Sequence, residues 1–305
     1  RMAEDARNAE MERKARLERR TRSPYQQPKA GGLMPERSDW AQKRYGNGID
    51  WVSATKTRNF MNHDMILDWL DLYGNEENKD TKDKKYDANL DFVQLLFRKG
   101  HEFEKKLVNH LKEKFISAKF VTVGANSADS KDPAKEQETL QHMKDGVPFI
   151  LQGVLRNPDN KTYGMPDIMV RNDILSKIPE NEEYQSFFNI DASSELGNYH
   201  YRIIDVKFTT LNYNADGTYL LGSDAHKAQL AIYNQALGRM QGFLPPEAYL
   251  LGRNWKRTKN GVEIHGEGAL DRLGVVDFFN IDRDFIQKAN DAVEWIRRVR
   301  IEGST

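Results

Sequence analysis

The sequence predicts an α/β fold in which a central mixed β-sheet is flanked by helices. Apolar residues recur at helical spacing over residues 92–115, 224–242 and 284–300. Short runs rich in branched and aromatic residues, such as VPFILQGVL and YRIIDVKFTT, separate or precede these segments. Strands that alternate with helices along the chain indicate a sheet with helices packed against it.

The first 48 residues are predicted to lie outside the folded domain. Lys and Arg cluster between Arg13 and Arg22 in a stretch of high helix propensity, which indicates an exposed charged helix. A nucleic-acid-binding arm is the sharper alternative. Pro and Gly residues over 23–48 indicate a linker or a surface arm. We expect the domain to occupy residues 49–305 and, because the chain begins with Arg1, to belong to a longer protein.

Two amphipathic segments open the predicted domain. Ser53 or Thr55 caps a helix or helix pair that ends at Gly74, and a charged loop follows over 75–87. A long helix is then expected over residues 92–115. The apolar positions expected to face the core are Phe60, Met61, Ile66, Leu67, Trp69 and Leu70 in the first segment and Phe92, Leu95, Leu96, Phe103, Leu107, Leu111 and Phe115 in the second.

A hairpin is predicted in the middle of the chain. The strand 147–155 and the strand 163–170 are separated by the turn sequence NPDNKT. Residues 171–198 form a long polar excursion that carries its own small helix, and the strand 201–210 follows. A loop is expected over 211–222.

The composition excludes several classes of site. The chain has 305 residues, of which 38% are hydrophobic and 30% charged, and its formal net charge is zero. It contains no cysteine, which excludes disulfides, thiolate zinc sites and cysteine nucleophiles. No apolar run reaches the length of a transmembrane helix, and no secretory signal is visible. We therefore expect no membrane partner and an intracellular location, in the cytoplasm or nucleus.

Acidic and basic residues on two predicted strands indicate a metal site. Asp205 and Lys207 are two positions apart, so their side chains point to one face of the strand while Val206 points to the other. If Asp167, which follows Pro166, lies alongside, two carboxylates converge and repel each other. Mg²⁺ relieves such repulsion and prefers oxygen ligands. Two solvated strand ends with a surface ion pair are the alternative.

Two predicted helices carry further polar candidates. Glu104 lies near the buried edge of the helix 92–115 and is a third candidate carboxylate, although most helix glutamates are ordinary surface residues. His101 lies one turn earlier, and it is a candidate rim residue, phosphate contact or helix partner. Gln229 and Tyr233 are four residues apart and share a helix face.

These elements, in this order, resemble the RecB-type branch of the PD-(D/E)XK nuclease superfamily. The matching motifs are Pro166-Asp167, Asp205-Val206-Lys207 and the Gln229-x-x-x-Tyr233 helix, together with GHEFEKKL upstream. The opening segment WVSATKTRNFMNHDMILDWLDLYG, residues 51–74, is also similar to the N-terminal segment of that family, which has an S-A-S/T motif, a helix and a W-L pair. The resemblance spans Trp51 to the end of the chain and implies a restriction-endonuclease-like core.

The resemblance implies a Mg²⁺- or Mn²⁺-dependent deoxyribonuclease. Glu104, Asp167, Asp205 and the Val206 carbonyl would hold the metal, and Lys207 would position water or stabilise charge on the phosphate. The residues implied to contact substrate are Gln229, Tyr233, His101 and Arg171, with Lys227 and Arg239 as further phosphate contacts.

The implied partners are single- or double-stranded DNA and a fused or associated helicase or polymerase. Some relatives bind an iron–sulfur cluster through cysteines, and the absence of cysteine here excludes that cluster. The alternative function is a catalytically silent platform of the same fold that binds nucleic acid or protein within a larger assembly.

Overall fold

The computed structural model describes residues 48–74, 87, 91–180 and 192–302. The predicted N-terminal arm, except Gly48, and nearly all of the charged loop 75–87 lie outside these ranges. So do residues 181–191 of the polar excursion.

The described ranges contain seven α-helices and eleven strands. The helices are α1 (Arg58–Met61), α2 (Ile66–Tyr73), α3 (Phe92–Lys114), α4 (Pro133–Lys144), α5 (Asn172–Leu175), α6 (Asp224–Gln241) and α7 (Asp284–Glu302). The strands are β1 (Val52–Ser53), β2 (Phe120–Thr122), β3 (Phe149–Leu151), β4 (Leu155–Asn157), β5 (Thr162–Gly164), β6 (Ile168–Arg171), β7 (Tyr201–Tyr213), β8 (Leu220–Leu221), β9 (Glu247–Lys259), β10 (Val262–His265) and β11 (Gly274–Asp277).

The main sheet is mixed, as predicted. Its strands run in the order β10-β9-β7-β6-β3-β2, with β11 paired to β9 and β8 paired to β7. The pairs β7/β9 and β2/β3 are parallel, and the other pairs are antiparallel. A second sheet of β1, β5 and β4 lies beside α6.

Helices cover both faces of the main sheet. One face buries Ile203 together with α6 and α7, while the other buries Ile204 and Val206 together with the C-terminal half of α3. Alternate residues of β7 therefore point into two different cores, as the period of a strand requires. Asp205 and Lys207 share the face of Ile203, and Phe208 shares the face of Val206.

Local signals account for the helix ends. The Asp91 side chain accepts hydrogen bonds from the backbone of Val93 and Gln94 at 2.7 and 3.1 Å, which satisfies two free donors at the start of α3. Helix α6 begins after Ser223 and ends at Gln241. The next residue, Gly242, has a φ of +65°, which glycine adopts without strain. The long helices α3, α6 and α7 thus lie close to their predicted bounds.

The predicted hairpin is correct only in part. The turn joins β4 to β5 in the small sheet, whereas β6 pairs with β3 and β7 in the main sheet. The predicted strand 147–155 is split at Gln152, whose φ is +50°. The predicted strand 163–170 is split where the chain passes from β5 in the small sheet to β6 in the main sheet. The predicted loop over 211–222 is also partly strand, since β7 continues to Tyr213 and pairs with β8.

The predicted apolar faces of α2 and the first half of α3 are wrong. Asp68 is the buried residue of α2, where it accepts hydrogen bonds from Asn59 and Trp295, at 2.8 and 3.0 Å. These polar contacts turn the apolar residues of α2 outward, and α3 buries only its C-terminal half on the sheet. The predicted core residues found exposed are Ile66, Leu67, Trp69, Leu70, Phe92, Leu95 and Leu96.

The last helix holds the first described residues in place. Arg300 Nη1 donates to the carbonyls of Ile49 and Trp51 at 2.8 and 2.7 Å. Arg297 Nε donates to the carbonyl of Asp50 at 2.8 Å. Both arginines are buried, so these bonds join the two ends of the described domain.

None of the helices in the described ranges combines the length and apolar character needed to cross a membrane.

Candidate active site

The register of the main sheet brings Asp167 beside Asp205. Ile168 is opposite Ile204 in the β6/β7 pair, so the preceding Asp167 lies level with Asp205. The Val206 N–H donates to Asp167 Oδ2 at 2.6 Å and fixes the carboxylate against β7. The long excursion between β6 and β7 therefore does not prevent their pairing.

Lys207 lies directly against Asp205. Its Nζ is 2.6 Å from Asp205 Oδ2, a close ion pair that lacks hydrogen-bond geometry. The Asp205 side chain is only 2% exposed, whereas that of Lys207 is 21% exposed. The ammonium group is thus anchored in the buried part of the site while its side chain remains within reach of solvent.

Gln152 connects Glu104 to this pair. Its Nε2 donates to Glu104 Oε1 at 2.6 Å and to Asp167 Oδ1 at 3.2 Å. Its backbone N–H also donates to the Asp167 carbonyl at 3.0 Å, which continues the β3/β6 ladder by one residue. Sequence reasoning missed Gln152. The signal that could have identified it is its position, because this glutamine directly follows the apolar run VPFIL and precedes GVL in the predicted strand.

The cluster holds Asp167 in an unfavourable environment for its charge. Burial raises the pKa of Asp167 well above its ordinary value, and the carboxylates of Asp205 and Glu104 raise it further. The positive charge of Lys207 and the Val206 N–H only partly oppose this. A cation placed among these oxygens would remove the repulsion.

Lys207 keeps its proton. Burial alone would lower the pKa of Lys207, but the carboxylates of Asp205 and Asp167 outweigh burial, and the pKa is raised. The side chain is therefore an ammonium group at neutral pH. It can donate hydrogen bonds and neutralise negative charge, but it cannot accept a proton from water.

Helix α6 places Tyr233 behind the carboxylates. The ring is buried against Gly164, where an added Cβ would lie 2.2 Å from Tyr233 Cε1. The hydroxyl oxygen accepts a hydrogen bond from Gln229 Nε2 at 2.8 Å. Burial, and then the Asp205 carboxylate, raise the pKa of Tyr233, so the hydroxyl stays protonated. Tyr233 is thus a packing residue with a polar end at the site.

His226 lies one turn before Gln229 on α6 and was missed by sequence reasoning. Burial lowers its pKa to about 4, and the nearby charges of Lys207 and Arg58 contribute. Its imidazole is therefore neutral at pH 7. The spacing of His226, Gln229 and Tyr233, at helical intervals along one face, was the signal that could have identified it.

Two of the predicted substrate contacts lie at the edge of the site or away from it. His101 is exposed on α3, three residues before Glu104. Arg171 lies at the opposite end of β6 from Asp167. Its guanidinium donates to both carboxylate oxygens of Asp173, at 2.6 and 2.9 Å, and to the Gly146 carbonyl at 2.7 Å.

The two further predicted phosphate contacts also have partners within the protein. Lys227 is buried and donates to Asp282 Oδ1 at 2.8 Å and to the Leu220 carbonyl at 3.0 Å. It is therefore part of the core. Arg239 is exposed, and its Nε lies 3.5 Å from Asp159 Oδ2.

The oxygen atoms of the cluster suit a hard divalent cation. In the ranges that the structure describes, no three Asp, Glu, His or Cys side chains are already arranged around a common metal position. The Gln152 amide instead lies between Glu104 and Asp167. However, the only polar partner of the buried Asp205 Oδ2 among the described residues is the Lys207 ammonium group. The Val206 carbonyl points to the same side of β7 as its N–H, toward Asp167. The donor set therefore fits Mg²⁺ or Mn²⁺ if the Gln152 side chain turns away.

No family model matches this sequence, and no curated protein matches it.

Proposed function

We propose that this protein is a metal-dependent nuclease that hydrolyses phosphodiester bonds of DNA, with a restriction-endonuclease-like core of the PD-(D/E)XK, RecB-type kind. The observation that carries the proposal is the convergence of Asp167, Asp205 and Lys207 at one sheet position, with Glu104 joined through Gln152. A buried cluster of repelling carboxylates is costly for a protein that only needs a stable core.

The carboxylates and the lysine have separate roles in this proposal. Glu104, Asp167, Asp205 and the Val206 carbonyl would hold Mg²⁺ or Mn²⁺, and a bound metal would supply an activated water and neutralise charge on the phosphate. Lys207, a permanent ammonium group, donates to the attacking water or to a phosphate oxygen and stabilises the charge that develops there. The buried Asp205 keeps that ammonium group in place.

Residues of α6 support the site from one side. Gln229, itself bonded to the Tyr233 hydroxyl, presents its amide oxygen to the substrate, and the neutral imidazole of His226 is one turn away. The substrate is DNA, single- or double-stranded, in processing, repair or recombination. A helicase or polymerase, fused or associated, is the proposed partner in an intracellular setting.

One observation favours a second candidate function, a silent platform that binds nucleic acid or protein. The Gln152 amide and the Lys207 ammonium group contact all three carboxylates. A protein that had lost its metal could be stabilised by these same contacts.

The decisive experiment is cleavage of labelled single- and double-stranded DNA in Mg²⁺, Mn²⁺ or EDTA. We expect cutting by the wild type that requires metal, and a loss of about 10²–10³-fold in Lys207→Ala, because a donor to the developing charge is removed. Lys259→Ala, which removes an exposed lysine on β9, is the matched control and should cut normally.

A second measurement separates the two candidates. Mg²⁺ or Mn²⁺ should raise the melting temperature of the wild type but not that of Asp205→Ala, because only a real metal site needs this carboxylate. No cutting and no metal-dependent shift, in a folded protein that binds DNA, would establish the platform instead.

A further inference from the structure

Arg253 on β9 follows the register partner of Lys207, and its side chain lies on the opposite face of the sheet from Lys207. Lys207 is the register partner of Gly252 in the parallel β7/β9 pair, and Arg253 follows Gly252. The ladder is irregular between Lys207 and Thr210, where residues of β7 bulge out of register. Bulges of this kind re-aim side chains next to active sites.

The bulge places Phe208 under Arg253. The Arg253 guanidinium carbon is 5.0 Å from the centre of the Phe208 ring, and Phe208 in turn packs against Phe103 at 5.8 Å between ring centres. Phe103 immediately precedes Glu104 on α3. The aromatic pair therefore connects the arginine to α3 and β7, which supply Glu104, Asp205 and Lys207.

The backbone at Gly252 is adapted to this arrangement. An added Cβ there would lie 2.6 Å from the Leu211 side chain and 2.8 Å from the Thr209 carbonyl oxygen. Only glycine lets β9 approach the bulged part of β7 this closely. The bulge, and with it the position of Phe208, thus depends on a specific residue of the neighbouring strand.

Arg253 holds a charge that the fold does not use. It is exposed, and within the described residues it forms no ion pair with a carboxylate. Stacking on the half-buried Phe208 ring orients the guanidinium group but leaves its N–H donors free. Most of the arginines discussed above, by contrast, donate to carboxylates or backbone carbonyls.

The proposed site needs a positive charge near its carboxylates in order to bind a phosphate backbone. Glu104, Asp167 and Asp205 outnumber the single Lys207, so the cluster repels a phosphodiester backbone wherever the metal does not neutralise it. A guanidinium group just beyond the cluster attracts the strand and positions it.

We infer that Arg253, held on Phe208, binds a backbone phosphate of the substrate strand on the α3 side of the site. The inference rests on the proposed function in taking nucleic acid as the substrate. It adds a residue of β9 to the site and extends the substrate path along the α3 face of the sheet, beside Phe103 and Phe208.

The test measures binding of a single-stranded oligonucleotide in EDTA, where no cleavage occurs, over a range of salt concentrations. Arg253→Ala should weaken binding by about tenfold and reduce the slope of log affinity against log salt by about 0.7, the value for one phosphate contact on a single strand. Arg253→Lys should recover part of the loss. Lys259→Ala removes the same charge about 20 Å further along β9 and should change neither quantity.

The outcomes distinguish this inference from the proposed function. Unchanged binding in Arg253→Ala, or an equal loss in Lys259→Ala, overturns the role of Arg253 even if the wild type cuts DNA. If the wild type fails to cut but Arg253→Ala weakens binding with the reduced slope, the contact stands and the nuclease proposal fails. With a cutting wild type, Arg253→Ala should raise KM while kcat stays within about twofold. A fall in melting temperature alone would indicate packing only.

Discussion

Replacing Asp167 by asparagine should separate the stability of the fold from the function of the site. The asparagine oxygen can still accept the 2.6 Å bond from the Val206 N–H. It loses the charge that repels Asp205 and Glu104, together with the weaker 3.2 Å bond from Gln152. The lost bond costs about 0.5–1.5 kcal/mol at any pH. The removed charge has an effect that depends on pH.

The sign of that effect follows from the pKa of Asp167. Because the folded state raises this pKa above 3.8, it holds the proton more tightly than the unfolded state does. The wild type therefore loses stability as the pH rises from about 3.8 to the folded pKa, by at most about 1.4 kcal/mol per pH unit. Asp167→Asn has no such proton to lose, so its stability relative to the wild type should grow over this interval.

The assay is urea unfolding of both proteins in EDTA between pH 4 and pH 8. We expect the free energy of unfolding of Asp167→Asn to gain on that of the wild type across the range, by about 1.4 kcal/mol for each pH unit by which folding raises the pKa of Asp167. Mg²⁺ at 100 times its Kd would then stabilise the wild type by about 2.7 kcal/mol and the variant much less. DNA cleavage should be lost in the variant.

A difference between the two proteins that stays constant from pH 4 to pH 8 would refute this reasoning. It would mean that burial and the neighbouring carboxylates do not raise the pKa of Asp167. Asp173→Asn is the matched control, because burial does not dominate there and the Arg171 hydrogen bond lowers the pKa of Asp173. Its stability relative to the wild type should not rise with pH.

Two further predictions concern packing behind the site. Gly164→Ala should cost about 1–3 kcal/mol because its methyl group meets the buried Tyr233 ring, whereas Gly100→Ala, in open space on α3, should stabilise by about 0.5–1 kcal/mol. At roughly 2–4 °C per kcal/mol the two melting temperatures should move in opposite directions, and a shared direction would contradict the geometry. Lys227→Met should cost about 3–5 kcal/mol in urea unfolding because it leaves Asp282 buried without its cation, and a loss below about 1 kcal/mol would argue against a structural pair.

Periodicity was sufficient where a segment buries one continuous face. The helix predicted over 224–242 and the final helix both lie within two residues of their predicted bounds. Their predicted apolar positions, such as Leu237 and Ala289, are fully buried. The sequence order of Asp167, Asp205 and Lys207 was also informative, because strand geometry limits where such side chains can point.

Contacts between residues that are distant in the sequence determine the features of the fold and the site that were not predicted. Asp68 is buried because Trp295, 227 residues later, donates to it, and no local pattern in α2 reveals this. Gln152 joins the site through Glu104, 48 residues earlier, and through a backbone turn with positive φ. The split of the long strands has the same origin, since a change of sheet leaves little trace in the alternation of residues.

The bonds from Arg300 to Ile49 and Trp51 have a consequence for how the protein is made. They join residues about 250 positions apart, so they can form only after nearly the whole domain has left the ribosome. The strands of the main sheet, including those that carry Asp167 and Asp205, are complete in sequence earlier, once β11 has emerged. A nascent chain stalled before α7 would thus contain every strand of the sheet that carries the acidic cluster, while Ile49, Asp50 and Trp51 still lacked their bonds to Arg297 and Arg300.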